Sequence, residues 1–322
     1  DLSDLEDLHR RLDERKALED IVSVNQEMHE LVQLLPDVAK SECNVLIQGS
    51  SGSGKELVAQ VIHNLSPRKY GPYIKINCAA LPATLLESEL FGYVKGAFTD
   101  AKRDKPGQFC LANGGTLLLD EISEMDPALQ VKLLRVLNNG EYQPLGSTKA
   151  FHTDARILAA TNADLQERIA AGSFREDLYF RINVVNLRIP PLRERPADIP
   201  LLADHFIKKF RAKTRRPIRR VAPEALAALR RYSFPGNVRE LENAVEHAFV
   251  MCHGEEIELQ HLPASITQEA SLVTGVTRNK RSEREVIEET LQRHGGNRTR
   301  AAEELGIHRS TLWRKMHTYG LG

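Results

Sequence analysis

The segment Gly49–Lys55 (GSSGSGK) has the residue types and spacing of a loop that binds phosphate groups. Its glycines allow backbone N–H groups to turn toward an anion, and Lys55 adds a mobile cation for the outer phosphates. Before the loop, Val45–Gln48 predicts a buried strand; after it, Glu56–His63 predicts a helix whose N-terminus favours the same anion. This order predicts a nucleotide site rather than a structural glycine turn. The candidate nucleotide ligands are Gly49, Ser50, Ser51, Gly52, Ser53, Gly54, Lys55 and Glu56, the last standing where Ser or Thr is usual.

A second segment, Gly115–Glu121 (GTLLLDE), predicts a buried strand that ends in two carboxylates. Continuous apolar runs suit the centre of a parallel sheet, and ligands bind at the C-terminal ends of such strands. Asp120 is suited to hold Mg²⁺, directly or through water, and Glu121 to polarise an attacking water. The alternative is a strand followed by a solvated acidic turn. The phosphate loop about 65 residues upstream, at the distance that a nucleotide-binding sheet needs, argues against that alternative.

The composition allows two or three folded domains in the 322 residues, of which 41% are hydrophobic and 27% charged. The formal net charge is zero, but the segment Lys208–Arg220 (KKFRAKTRRPIRR) carries only basic charges. Such a run permits contact with nucleic acid without requiring it. We interpret this run as a solvated helix end and loop.

The four cysteines lie far apart and form no CxxC pair, which argues against a zinc site and suits a reducing cytosol. There is no signal peptide and no apolar stretch long enough to span a membrane, so we expect a cytoplasmic protein without a membrane partner. Because the chain starts at Asp1 rather than Met, we expect a fragment whose upstream sensory domain is missing.

The order of patterns along the chain predicts several units. Residues 1–18 have leucines at helical spacing and predict a linker helix or short coiled coil. Residues 19–190 alternate strands with helices and predict an α/β fold with a parallel sheet. Residues 191–268 predict helices, 269–282 a polar linker, and 283–322 helices again. The candidate strands are Val45–Gln48, Tyr73–Asn77, Thr116–Leu119, Arg156–Thr161 and Val184–Leu187.

The segment Arg300–Met316 has the spacing of a helix-turn-helix, with small alanines, a turn at Gly306–His308 and a second helix at Arg309–Thr318. Leu305, Ile307, Leu312 and Met316 are predicted core residues, and Trp313 is either core or a contact to the DNA backbone. The alternative is a small helical bundle that binds protein. The predicted DNA-binding residues are Arg309, Ser310, Thr311, Arg314 and Lys315.

Taken together, the motifs from about residue 20 to 322 resemble the bacterial enhancer-binding activators of sigma-54 RNA polymerase, which are AAA+ ATPases. Gly49–Glu56 looks like the Walker A motif of that family, in which Glu after the lysine is common. Gly107–Gly115 leads into a Walker B region at Asp120 and Glu121, and Phe234–Leu241 (FPGNVREL) is similar to the third signature of the family.

The resemblance implies an AAA+ P-loop parallel sheet with helices on both faces, a helical lid and a small all-α helix-turn-helix domain of the Fis type. It implies ATP and Mg²⁺ as cofactors. The implied partners are the sigma-54 RNA polymerase holoenzyme, double-stranded DNA at an upstream activating site, and further copies of the chain in a ring. That ring is a hexamer, with a dimer or heptamer as the other states.

The resemblance also implies catalytic roles for residues outside the two motifs. Asn77 resembles the asparagine that restrains the Walker B glutamate until the partner is engaged. Thr161 and Asn162 resemble sensor I, which reads the γ-phosphate. The remaining implied roles are those of the arginine fingers, Arg175 and Arg181, and of sensor II, Arg239.

The segment Leu90–Ala101 lies where the family has the loop that contacts the sigma factor. The family pattern is GAFTGA and this chain reads GAFTDA, so Asp100 replaces a glycine and adds a negative charge. Asp is among the few residues that can adopt a positive φ, so we expect the loop to keep its shape. The implied sigma contacts are Gly96, Ala97, Phe98, Thr99, Asp100 and Ala101.

The sequence therefore predicts an ATP-hydrolysing activator that binds upstream DNA and remodels closed complexes of sigma-54 polymerase. The Asp at position 100 motivates an alternative, a DNA-binding regulator of other promoters that uses the AAA+ fold mainly for oligomerisation. An AAA+ remodeller of another protein is a third class, and the C-terminal helix-turn-helix argues against it.

Overall fold

A computed structural model describes residues 18–214, 216–268 and, apart from 289, 292, 305, 306 and 308, residues 287–319. The predicted helix in residues 1–17 and the predicted linker 269–282 lie outside these residues. The chain divides into two compact units. The first contains the described chain up to Val221 together with Ser233–Ile257, and the second contains Ala222–Tyr232 and the described residues from Glu258 onward.

The strands are β1 (Val45–Gln48), β2 (Tyr73–Asn77), β3 (Gly92–Tyr93), β4 (Lys105–Pro106), β5 (Thr116–Asp120), β6 (Glu141–Tyr142), β7 (Phe151–His152), β8 (Arg156–Thr161), β9 (Val185–Arg188), β10 (Arg220–Val221) and β11 (Glu256–Ile257). The helices are α1 (Gln26–Ser41), α2 (Lys55–Leu65), α3 (Ala83–Phe91), α4 (Gln108–Leu111), α5 (Pro127–Asn139), α6 (Leu165–Ala170), α7 (Glu176–Ile182), α8 (Asp198–Lys213), α9 (Pro223–Arg231), α10 (Asn237–Met251), α11 (Arg298–Glu304) and α12 (Arg309–Tyr319). Short 3₁₀ turns occupy Ile122–Glu124, Leu192–Glu194 and Leu259–His261.

Five strands form one parallel sheet in the order β2-β5-β8-β1-β9. The predicted strands are confirmed, with β5 extending to Asp120 and the last strand shifted by one residue to Val185–Arg188. The shift follows from the register, in which Val185 is the partner of Val45, the first residue of β1. Val184 is exposed and precedes the sheet.

Helices cover both faces of this sheet, because successive side chains of a strand point to opposite sides. Leu117 and Leu119 of β5 pack in one apolar core with residues of α3, α4, α5 and α7. Leu118, between them, packs in a second core with residues of α1 and α2. The predicted α/β fold with helices on both faces is confirmed, and it leaves the C-terminal ends of the strands to form a site.

The segment after the sheet is mainly helical, but β10 and β11 form a short parallel pair within it that the sequence pattern did not predict. Three side chains of the basic run Lys208–Arg220 form ion pairs with glutamates, namely Lys209, Arg219 and Arg220. Arg216 donates from Nη1 to the carbonyl oxygens of Phe249, Val250 and Cys252 at the C-terminal end of α10. A guanidinium there complements the helix dipole. This agrees with the interpretation of the run as a helix end and loop.

In the second unit, α11 and α12 share a small apolar core with the residues around Ile287. Leu312 and Met316 are buried in it and Ile307 packs against it, as predicted, whereas Leu305 lies outside the described residues. Trp313 is 58% exposed, so it is not a core residue. In the described part of the chain, we find no helix with the length and apolar character needed to cross a membrane.

Candidate nucleotide-binding site

The phosphate loop connects β1 to α2 at the C-terminal edge of the sheet. Two of its glycines adopt positive φ angles, 73° at Gly52 and 112° at Gly54. At Gly52 a side chain would also clash, because a Cβ would lie 2.3 Å from the carbonyl oxygen of Gly236. Position 52 therefore requires glycine for two independent reasons.

Lys55 begins α2 and is nearly buried, with 6% of its surface exposed. Its ammonium group donates to the carbonyl oxygen of Gly49 at 2.8 Å and lies 3.4 Å from Oε1 of Glu121. The cation is therefore folded back over the loop, between the loop and the end of β5. This position suits a group that neutralises bound phosphate oxygens.

The two carboxylates at the end of β5 differ in their surroundings. Glu121 has a left-handed backbone (φ 51°), and its Oε2 accepts a hydrogen bond from the backbone N–H of Asn162 at 3.1 Å. Asp120 accepts from the backbone N–H of Glu121 at 3.1 Å. Burial, and next the negative charge of Glu121, raise the pKa of Asp120. The charge of Lys55 opposes this shift without cancelling it, so the pair favours a further cation beside Asp120.

The donor set fits Mg²⁺ only together with a nucleotide. The described residues contain no cluster of three or more acidic, histidine or cysteine side chains that could hold a metal ion by themselves. Mg²⁺ in nucleotide sites takes one or two carboxylates, and its other ligands are water and phosphate oxygens. Asp120 can supply such a carboxylate oxygen at the edge of the phosphate loop.

Asn77 contacts Asp120, whereas the family resemblance implies a role on the neighbouring Glu121. Its side-chain amide donates to Oδ2 of Asp120 at 3.4 Å rather than to Glu121. The reason is the register, because Asn77 and Asp120 are partners on the neighbouring parallel strands β2 and β5. The side-chain oxygen of Asn77 accepts from the backbone N–H of Ala79 at 2.8 Å, which fixes the orientation of the amide.

Thr161 and Asn162 lie at the end of β8, the strand next to β5. The Thr161 hydroxyl donates to Oγ of Ser123 at 3.1 Å and accepts from the backbone N–H of Ala163. Asn162 lines a second cavity of about 500 Å³ together with Gly49. The backbone N–H of Asn162 thus contacts the candidate base, Glu121.

A cavity of about 740 Å³ extends from the phosphate loop and the two carboxylates to an apolar wall. This volume suits a ligand of nucleotide size. The charged end contains Lys55, Asp120 and Glu121, and Arg239 of α10 lines the same cavity. The apolar wall, suited to a base, is formed by Ile21, Val22, Met28, Ile189, Leu202 and Phe206.

Three donors hold consecutive carbonyl groups of the loop from outside. Asn237 Nδ2 donates to Ser51 O at 2.9 Å, the backbone N–H of Arg239 donates to Gly52 O at 3.2 Å, and Arg195 Nη2 donates to Ser53 O at 3.0 Å. The residue patterns alone did not predict a role for Asn237 or Arg195. Asn237 could have been suspected from its place in the FPGNVREL motif, whereas nothing in the pattern singles out Arg195.

The two candidate arginine fingers lie outside both cavities. Arg175 precedes α7, is exposed and forms an ion pair with Asp177 at 2.7 Å. Hydrogen bonding from Arg175 holds the pKa of Asp177 below its usual value. Arg181 donates to the carbonyl oxygen of Leu137 at 3.1 Å. The structure therefore does not bring these arginines together with the loop of their own chain.

The GAFTDA segment forms a tight turn between β3 and β4. Gly96 N–H donates to Ala101 O at 2.9 Å, and the ring of Phe98, 44% exposed, packs edge-on against Tyr93 at 4.8 Å between centroids. The positive φ of this turn is at Gly96 (84°), and Asp100 has none. Position 100 needs no such conformation in this structure, so Asp100 brings charge without left-handed strain.

The predicted DNA-binding residues of α12 differ in exposure. Ser310 and Arg314 are exposed, Thr311 and Lys315 are half-buried, and the side chain of Arg309 lies outside the described part. Trp313 joins the exposed face and stacks on His317 with 5.6 Å between ring centroids. The polar face of this helix thus includes an aromatic pair.

Comparison with known proteins gives three family matches in order along the chain. They are the Sigma-54 interaction domain over residues 21–188, the AAA+ ATPase lid domain over residues 193–277, and the bacterial regulatory protein domain of the Fis family over residues 280–319. The first match contains the phosphate loop, both carboxylates and the GAFTDA turn.

Two similar proteins match this chain over most of its length. Regulatory protein AtoC of Escherichia coli K12 is 46% identical over 98% of this chain and 70% of its own length. Transcriptional regulatory protein ZraR of Salmonella typhimurium LT2 is 47% identical over 90% of this chain and 66% of its own length. The chain thus spans about two thirds of the length of these relatives.

Among solved structures, NtrX from Brucella abortus in complex with ATP is 37% identical, with a TM-score of 0.70 over 93% of this chain and 69% of that chain. The complex of NtrX with ADP has a TM-score of 0.69 at 35% identity, over 99% of this chain and 73% of that chain. The chain belongs to the sigma-54-dependent transcriptional activators, AAA+ ATPases with a helical lid and a Fis-type helix-turn-helix for DNA binding.

Proposed function

We propose that this chain binds ATP in the 740 Å³ cavity and uses hydrolysis to remodel the closed promoter complex of sigma-54 RNA polymerase. The observation that carries the proposal is the convergence of Lys55, Asp120 and Glu121 at the phosphate loop, inside the matched Sigma-54 interaction domain. The ATP and ADP complexes of the similar protein NtrX support the identity of the nucleotide.

In this proposal each charged group of the cavity has one role. Lys55 and the loop amides bind the phosphates, and Asp120 binds Mg²⁺, which supplies charge neutralisation when bound. Glu121 accepts the proton of the attacking water, and Asn162 orients that carboxylate through its backbone N–H. Asn77 acts on the acidic pair through Asp120, and Arg239 lies against the nucleotide from α10.

Arg175 and Arg181 act on the nucleotide of a neighbouring copy in a ring, for which we favour a hexamer over a dimer or heptamer. Their exposure and their distance from both cavities of their own chain support this role. An arginine supplied in trans stabilises the charge of the transition state for phosphoryl transfer. Hydrolysis in each subunit therefore depends on its neighbour.

Two surfaces outside the cavity contact the proposed partners. The turn Gly96–Ala101, with Phe98 exposed, contacts the sigma factor. The helix α12 contacts double-stranded DNA at an upstream site through Arg309, Ser310, Thr311, Arg314 and Lys315. Because promoter DNA and polymerase are the proposed partners, the activity belongs to the cytoplasm.

The test is formation of open complexes on a sigma-54 promoter in a purified system, with ATP and with a non-hydrolysable analogue. We expect open complexes with ATP and none with the analogue. Phe98→Ala is expected to keep ATP hydrolysis and lose open complexes, whereas Leu111→Ala, also an exposed apolar side chain, keeps both. ATP hydrolysis by the unaltered chain without open complexes would contradict the proposal and favour the regulator of other promoters.

A further inference from the structure

The segment before α1 is tied to the start of α8 by a buried carboxylate. Asp198 is fully buried and accepts two hydrogen bonds, from the hydroxyl of Ser23 at 2.5 Å and from the backbone N–H of Val24 at 2.7 Å. These contacts join positions that are 175 and 174 residues apart in the sequence. They are the kind of charge-assisted hydrogen bond that is costly to leave unmade.

The same carboxylate is linked to the phosphate loop through one arginine. Arg195, of which 3% is exposed, has its Nη1 3.6 Å from Oδ2 of Asp198, while its Nη2 donates to the carbonyl oxygen of Ser53. Burial lowers the pKa of the Arg195 guanidinium, and the charge of Asp198 opposes that shift. Removing either charge would leave the other buried and unpaired.

The contact with Ser53 matters because of where that carbonyl lies. Ser53 precedes Gly54 and Lys55, at the entry to α2, and its carbonyl is the last of the three that are held from outside the loop. Holding that carbonyl outward fixes the peptide plane that follows it, and therefore the direction of the Gly54 N–H. Small displacements of such donors change phosphate binding strongly.

We propose that Arg195 and Asp198 are positioning residues that connect the Ser23–Val24 segment to the phosphate loop, so that this segment sets the affinity of the loop for ATP. The proposal rests on the nucleotide binding proposed above. It goes beyond it by linking the chain before α1, whose Ile21 and Val22 line the apolar wall, to the phosphate loop as well. A shift of that segment is transmitted through two side chains, without rearrangement of the sheet.

The test compares Ser23→Ala with Ser23→Thr, which keeps the hydroxyl. Hydrogen–deuterium exchange of peptides covering residues 49–55 is measured without nucleotide, and KM and kcat for ATP hydrolysis are measured separately. For Ser23→Ala we expect faster exchange in the loop and a KM raised about three- to tenfold, with kcat changed less than about twofold. Ser23→Thr and the control Ser41→Ala, at the opposite end of α1, should match the unaltered chain.

A double-mutant cycle tests whether Ser23 acts on the loop through Arg195 or whether the two residues affect the loop independently. Arg195→Lys removes the donor to Ser53 while keeping a charge beside Asp198, so adding Ser23→Ala should raise KM no further. The proposal is overturned if the double variant raises KM by the product of the two single effects. It is also overturned if Ser23→Ala leaves the exchange of the loop unchanged. The exchange measurement needs no ATP turnover, so an unaltered chain that fails to hydrolyse ATP would count against the proposed function alone.

Discussion

The ammonium nitrogen of Lys55 lies 3.4 Å from Oε1 of Glu121, while Oε2 of the same carboxylate accepts a hydrogen bond from the backbone of Asn162. A cation on one oxygen and an N–H on the other hold the carboxylate in one orientation at the edge of the phosphate loop. A base held in this way is preorganised, so it needs no reorientation before it accepts a proton.

Glu121→Gln should keep ATP binding and reduce turnover by at least about a hundredfold, because the amide has the same shape and accepts the Asn162 hydrogen bond but cannot take up a proton. Binding is measured by titration calorimetry and turnover by phosphate release. Glu124→Gln, an exposed glutamate three residues away that pairs with Arg168, is the matched control and should hydrolyse ATP normally. Substantial turnover in Glu121→Gln would show that another group is the base.

Asp120→Asn should stabilise the nucleotide-free protein at neutral pH and weaken its stabilisation by nucleotide with Mg²⁺. Because burial and Glu121 raise the pKa of Asp120 in the folded state, the folded protein favours the protonated carboxyl. That contribution to stability is present at low pH and is lost as the pH rises through the raised pKa. The amide mimics the protonated form at all pH values.

The measurement is the Tm of both proteins at pH 4.5 to 8, with and without MgATP. At neutral pH without nucleotide, we expect the variant to melt a few degrees higher, and the gap to close as the pH falls. A variant that melts lower at neutral pH would mean that the carboxylate is stabilised without a cation.

His63 should make the folded state sensitive to acid. It is buried, hydrogen-bonded to Thr116 Oγ1 at 2.9 Å, and its ring is 5.1 Å from that of Tyr73. Burial, with a smaller contribution from Arg156, lowers the pKa of His63 below 6.5 in the folded state. The unfolded chain therefore binds the proton first, and the free energy of unfolding decreases as the pH falls below about 6.5.

His63→Gln is expected to lower Tm at pH 8 through lost packing and to flatten the loss of Tm between pH 7 and pH 5. The control changes the exposed His253 to Gln and leaves the buried ring of His63 in place. If Tm falls as steeply between pH 7 and pH 5 in His63→Gln as in the unaltered protein, other groups cause the acid sensitivity.

Gly52→Ala should lower the free energy of unfolding by more than the cost of placing alanine at a positive φ. Gly172 has the same φ of 73° but nothing within 4 Å of its Cβ position, so Gly172→Ala isolates the backbone cost of about 1–2 kcal/mol. At Gly52 the added methyl must displace the carbonyl of Gly236, so we expect a larger loss in the free energy of unfolding and loss of nucleotide binding. Equal losses in urea denaturation would show that the loop and Gly236 separate easily.

The central strands β1, β5 and β8 were predictable because each contains an unbroken apolar run between polar residues. Val45–Gln48, Tyr73–Asn77 and Arg156–Thr161 begin and end where the sequence indicates. The phosphate loop after β1 and the carboxylates at the end of β5 could likewise be expected to lie at the same edge, since parallel strands bring their carboxyl ends to one edge of the sheet. This explains why the phosphate loop and the carboxylates could be found from the sequence.

The hydrogen bonds that hold the phosphate loop from outside could not be predicted in the same way. Asn237 and Ser51 are 186 residues apart and Arg195 and Ser53 are 142 apart, and periodicity carries no information about such pairs. The choice of Asn77 between two adjacent carboxylates depends on strand register, which is also set by the whole sheet. At Asp100, the sequence identifies the substituted residue but not the position in the turn that takes the positive φ.

The three loop carbonyls that are held from outside limit how early the phosphate loop can fold during translation. Ser51, Gly52 and Ser53 leave the ribosome before their donors Arg195, Asn237 and Arg239, which follow well over a hundred residues later. A nascent chain can therefore pair the strands of its sheet before the loop has its final shape. We expect ATP to bind, and to protect the chain from proteolysis, only after α10 has been made and docked. During translation, ATP is therefore expected to stabilise the unit after its sheet has formed and not to assist formation of the sheet.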